Sequence, residues 1–150
     1  MRRLAIASAV GFLALGLAAC PPGMPGGWGF VHDQQLVGPY HLVAVDVREQ
    51  MVVCLRTSRG CTSHGPGATV VAAGFNDRHI VIVRRQEGHP EAPEEYWYIV
   101  RDPEREEALR AETPLGPYDR AAFETVKAEQ DLPPFSVVFD DLRPADAPPP

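Results

Sequence analysis

The sequence predicts an α+β domain: an antiparallel β-meander of about five strands packed by one principal C-terminal helix. Three patterns predict it. Short runs of β-branched and aromatic residues recur between residues 40 and 100, separated by turn residues. The links between the runs are short, which favours antiparallel neighbours. Beyond Gly116-Pro117 the apolar spacing changes from the period of a strand to that of a helix.

The elements follow in order. Residues 40–47 alternate, with Leu42, Ala44 and Asp46 on one face and His41, Val43, Val45 and Val47 on the other. Met51 to Leu55 is a more continuously apolar strand, and Arg48-Glu49-Gln50 is short enough to close a hairpin. Residues 56–67 are polar and carry Gly60, Gly65 and Gly67, the composition of a loop. Strands are expected over 68–75 and 79–84, joined at Asn76-Asp77. An exposed loop over 86–94 carries Pro90 and Pro93, and a fifth strand covers 96–100. The run from Asp102 to Glu112 is charged and fits a helical turn or a solvated loop. Asp119 is placed to accept from the free N–H groups of a helix over 120–130. Ala122, Phe123 and Val126 give that helix one apolar stripe. Pro133 and Pro134 stop it, and 135–139 fits a last strand. The stripe must bury against something, and the open face of the sheet is the available partner.

Both ends differ in composition from this core. Pro21-Pro22-Gly23-Met24-Pro25-Gly26-Gly27 lacks periodicity and fits a tether, with Trp28 and Phe30 stapling it to the domain or resting at a lipid interface. Residues 144–150 include four prolines, so a mobile tail is expected. The division is a signal segment over 1–19, a lipidated Cys20 with its tether over 20–36, one domain over 37–140, and a Pro-rich tail over 141–150.

The signal segment is read from Arg2-Arg3 followed by an uncharged apolar run from Leu4 to Ala19. That run is short for a membrane crossing, which needs about 20 residues, and it ends in small residues, as a secretory signal does. Leu17-Ala18-Ala19-Cys20 resembles the lipobox of bacterial lipoproteins. The resemblance implies cleavage before Cys20 and lipid on its sulfur, so Cys20 is an anchor and not a free thiol. Two or three acyl chains on one residue hold a protein stably at a bilayer, where one binds only reversibly. The family's inner-membrane retention signal is an Asp after the Cys. Here Pro21 stands in that place, which favours the outer membrane, facing the periplasm.

Downstream, the order of several short motifs resembles a group of small uncharacterised bacterial lipoproteins. They are Ala73-Gly74-Phe75-Asn76-Asp77-Arg78-His79-Ile80-Val81, then Tyr96-Trp97-Tyr98-Ile99-Val100, then Gly116-Pro117, Phe123 and Leu132-Pro133. The likeness spans residues 40–134 and implies a fold and a location, with no activity to carry over.

A formal charge of −6 over 150 residues, more negative once Arg2 and Arg3 are removed, argues against nucleic acid and anionic lipid as partners. An acidic, soluble surface needs no further explanation. Of the three cysteines, Cys54 and Cys61 remain after lipidation. An even pair in an exported chain points to a disulfide, and their spacing is not that of a Cys-x-x-Cys redox motif.

Candidate chemistry is sparse. His32, His41, His64, His79 and His89 show no zinc-ligand spacing. His64 lies near Cys61, but an oxidised cysteine offers no thiolate. Ser58, Ser63 and Ser136 lie in no nucleophile motif, and the adjacency of Ser63 and His64 is not triad geometry. Glu91, Glu94, Glu95 and Asp102 are candidates for the paired carboxylates of an envelope-polymer hydrolase. A solvated charge run accounts for them equally simply, and no catalytic residue, metal or cofactor is assigned. Tyr96, Trp97 and Tyr98 are the candidate recognition residues, since aromatic faces stack on sugars and anchor protein partners. The same residue types also fit a half-buried pleat. The expected role is therefore a non-catalytic binding or accessory module. Its partners would be the bilayer, through acylated Cys20, and an envelope protein. The alternative is a small carboxylate-dependent hydrolase, which needs a cleft with perturbed carboxylates or a nucleophile; a pocket holding Glu94, Glu95 and His79 together would favour it.

Overall fold

The computed structural model describes residues 29–58, 60–107 and 112–150. The signal segment, Cys20 and most of the tether lie outside them. Within the described residues nine strands form two antiparallel sheets, with one helix longer than two turns.

The first sheet orders β1 (His32–Val37), β2 (Tyr40–Ala44), β3 (Val52–Thr57) and β4 (Gly60–Ser63) as consecutive neighbours. The second runs β8 (Leu115–Tyr118), β7 (Glu95–Val100), β6 (His79–Arg84), β5 (Val70–Phe75) and β9 (Val137–Val138). The chain also forms a short helix, α1 (Pro103–Glu107), and a longer one, α2 (Arg120–Gln130). A single sheet of about five strands is thus replaced by two. Part of the polar 56–67 segment pairs as β4. Residues 32–36, assigned from sequence to the tether, form most of β1.

The reason for two sheets lies in β5 and β6. Val70, Val71, Ala72 and Ala73 are fully buried, as are Ile80, Val81, Ile82 and Val83. A strand with both of its faces apolar needs a cover on each side. Val70, Ala73, Ile80 and Ile82 pack on one side against Tyr40, Leu42, Ala44, Val53 and Leu55 of the first sheet. Val71, Ala72, Val81 and Val83 pack on the other beneath Phe123 of α2. The result is three layers: sheet, sheet, helix.

The local chemistry explains the connections. Asn76 Oδ1 accepts from the backbone N–H of Arg78 (2.9 Å) and His79 (2.7 Å), closing the β5–β6 turn. Asp119 caps α2 by accepting from the Ala122 N–H at 2.8 Å, and the helix spans the residues its stripe predicts. It ends at Asp131 in the left-handed conformation (φ 51°). The chain then passes directly over Gly74, where any Cβ would lie 2.0 Å from the Pro134 carbonyl oxygen. That close approach delivers β9 to the edge of β5. Beyond β9, Leu142 still packs on both cores and Arg143 is nearly enclosed, so the ordered domain extends past residue 140.

Candidate functional site

The residues singled out from sequence scatter through this fold. Tyr96 and Tyr98 are 2% and 8% exposed and point beneath α2. Tyr96 packs on Phe123 at 5.2 Å between ring centroids, and Tyr98 stacks on Tyr118 at 6.2 Å. Trp97 faces the other way, half-buried against the inter-sheet core. A Cβ at Gly116 would lie 2.7 Å from its ring. The three aromatics therefore form no common patch, and Trp97 alone keeps substantial exposed surface.

The carboxylates are similarly apart. Glu94 receives Arg143 through two contacts, 2.9 and 3.2 Å, and the Tyr96 hydroxyl at 3.2 Å. Glu95 pairs with Arg84 at 2.8 Å. His79 is paired across the sheet with Val100, while Arg84 is paired with Glu95. Five residues of strand thus separate His79 from Glu95, about 17 Å. Glu95 and His79 therefore do not share one pocket. His79 itself is 4% exposed, and its Nδ1 has no hydrogen-bond partner among the described residues. Burial, and then the Arg78 charge, hold its imidazole below the ordinary value.

Asp33, His41 and Arg56 meet on the outer face of the first sheet. His41 Nδ1 lies 2.9 Å from Asp33, and Arg56 pairs with the same carboxylate. Burial pushes that carboxyl up, but the hydrogen bonds from His41 and Arg56 outweigh it and hold it below the usual range. Ser63 lies in the same cross-strand row, with Cys54 between it and His41. Two strand spacings, about 10 Å, rule out a nucleophile–base contact. Cys54 and Cys61 are joined across the β3–β4 hairpin, with Cα atoms 5.7 Å apart. An apolar hollow of about 310 Å³ beside the disulfide is lined by Phe30, Val43, Val45 and Val52. Among the described residues no group of three or more His, Cys, Asp or Glu side chains could hold a metal, and no helix is long and apolar enough to cross a membrane.

A second cleft has no counterpart in the sequence reading. Its volume is about 410 Å³, and Glu49, Thr69, Arg85, Gln86, Leu142 and Arg143 are among its walls. An adjoining hollow of about 530 Å³ shares Arg85, Pro90 and Pro144. Arg85 immediately follows β6. Its backbone exchanges two hydrogen bonds with Thr69, 2.7 and 2.9 Å, which extend the β5–β6 ladder and fix the base of the side chain. The residue is 8% exposed. Its Nη1 donates to the Leu142 carbonyl at 3.0 Å, while Nε and Nη2 have no partner among the described residues.

The surrounding charges do not neutralise it. Arg143 is committed to Glu94, and Asp141 to Arg48 at 3.0 Å. The exposed Glu91 carboxyl is held low by a backbone hydrogen bond within its own residue and then by His89; Arg85 is the smallest influence on it. A buried donor left without a partner costs about 1–3 kcal/mol, and more when charged. The sequence hint was slight: a second arginine directly after Ile80-Val81-Ile82-Val83, where the strand's apolar run has already ended.

Comparison with family models, with curated proteins and with solved structures finds no match.

Proposed function

We propose that the protein is a bacterial envelope lipoprotein, anchored through acylated Cys20, that acts as a non-catalytic binding or accessory module. It would belong with the small lipoproteins its motif order resembles and sit on the outer membrane facing the periplasm. The lipobox and the preceding signal pattern support the anchor. The first described strand begins at His32. Twelve residues of chain from Cys20 reach at most about 40 Å, which sets the farthest the domain could stand from the lipid.

The observation that carries the binding reading is the Arg85 cleft. Its size is that of a ligand site, and its wall holds a buried cation with donors to spare. No histidine, cysteine or serine lines it. Of its carboxylate residues, Glu49 and Asp141 are exposed and Asp141 is tied to Arg48. Such a wall suits recognition better than bond cleavage.

The test is capture of partners from detergent-solubilised envelope, comparing wild type with Trp97→Ala, which alters the half-buried aromatic of β7, and Arg85→Lys, which alters the cleft. A defined envelope protein retained by wild type and lost with either variant supports the module. Hydrolysis of envelope polymer by the purified protein, unaccompanied by any partner, would overturn it.

A further inference from the structure

We infer that the Arg85 cleft binds a carboxylate group, carried by a small organic acid or by the end of a peptide chain, side-on against the Nε–Nη2 edge of Arg85. The inference deepens the binding reading and rests on it. In a guanidinium, Nε–H and Nη2–H lie on one edge and point the same way. That edge matches the two oxygens of a carboxylate in the fork arrangement that arginine favours. These are the two Arg85 nitrogens without a partner, whereas Nη1 is held by Leu142. The protein thus fixes the guanidinium by its third nitrogen and leaves the fork buried without a partner among the described residues.

The neighbouring charges select among anions. Glu49 and Asp141 line the same cleft, and Glu91 lines the adjoining hollow. They repel a dianion such as phosphate more strongly than a singly charged carboxylate. Leu142, Pro90 and Pro144 add apolar wall for the substituent that the carboxylate carries. Nε and Nη2 are themselves buried, so the ligand enters as the wall yields. The exposed 86–90 segment forms part of that wall, and its turns are closed by local bonds, His89 N–H to Gln86 and Ala92 N–H to His89.

The experiment is isothermal titration of the chain from Cys20 onward, with the cysteine replaced by serine for solubility. The probes are acetate, N-acetyl-alanyl-alanine, its C-terminal amide and inorganic phosphate. The expected result is saturable binding of the peptide acid, with the amide and phosphate at least tenfold weaker. Acetate binding as well as the peptide acid assigns the site to free organic acids; a clear preference for the peptide acid assigns it to chain ends. Arg85→Lys keeps the charge but loses the fork, and is expected to weaken the acid at least tenfold. Equal binding of acid and amide, undiminished binding by a folded Arg85→Lys protein, or no acid binding at all overturns the inference. Should that variant not fold, the Arg85 Nε–H resonance of the unsubstituted side chain decides. It shifts with the acid and not with the amide, or the site is not there. A partner still captured from the envelope while no carboxylate binds would leave the module standing and remove only this ligand.

Discussion

Arg143 and Glu94, separated by 49 positions in sequence, meet in a two-point ion pair at 2.9 and 3.2 Å. The two side chains are 5% and 14% exposed. The pair fastens the segment after β9 to the residue preceding β7, and Arg143 also donates to the Pro148 carbonyl at 2.6 Å. The pair therefore helps to hold one wall of the Arg85 cleft, together with the Arg48–Asp141 pair and the Arg85 bond to the Leu142 carbonyl. Removing one partner strands the other in a nearly enclosed position. Glu94→Ala is expected to cost about 3 kcal/mol, measured by urea denaturation. Double substitution to Glu94→Leu with Arg143→Met should recover most of it, because no charge is then left unpaired.

Phe123 is the fully buried side chain through which α2 grips the second sheet, between Tyr96 and Phe135 at 5.2 and 5.9 Å. Phe123→Ala leaves a cavity there and should cost about 3–5 kcal/mol. Near-ultraviolet circular dichroism should lose tyrosine signal, since Tyr96 and Tyr118 both pack on this ring.

The Cys54–Cys61 link spans a sequence separation of 7. Closing so short a loop should contribute about 2–3 kcal/mol by restricting the unfolded chain. Replacing both cysteines by alanine should lower the denaturation midpoint accordingly and leave the far-ultraviolet spectrum unchanged. Treatment of wild type with a reductant should give the same loss.

Tyr40 makes the stability sensitive to alkali. Burial, with the Glu106 and Glu112 charges adding to it, pushes its hydroxyl from 10.0 up to about 12. Between those values the unfolded chain gives up the proton and the folded one keeps it. Stability is therefore whole below pH 10 and declines as pH rises toward 12, by about 3 kcal/mol in full. Thermal melts across that window should show a shallower decline for Tyr40→Phe.

Much of the local structure was legible because it depends on neighbours in sequence. The Asp119 cap, the stripe of α2 and the Asn76 turn are set within a few residues, and each stands where its pattern places it. The two-sheet arrangement was harder to read. Ile80 to Val83 alternates in name, but both faces of that strand are apolar, and the pattern does not say that two different layers cover them. β1 and β4 carry few apolar residues, since each is an edge strand with one neighbour. Burial of a charged pair was not visible either, even between residues five positions apart. Glu106 sits in a charged run, yet it is buried against Arg101 at 2.8 Å. Arg85 gives only a slight hint in sequence of its unpartnered edge, because the side-chain partner that fixes it, Leu142, arrives from the far end of the chain.

The placement of the domain at the envelope rests on the proposed anchor at Cys20, and metabolic labelling with palmitate in a bacterial host tests it most directly. The account predicts label on the wild-type chain, none on Cys20→Ala, and a mature N-terminus at residue 20. Absence of label on wild type, or equal label on Cys20→Ala, would contradict the lipid anchor and with it the placement of the domain at the envelope membrane.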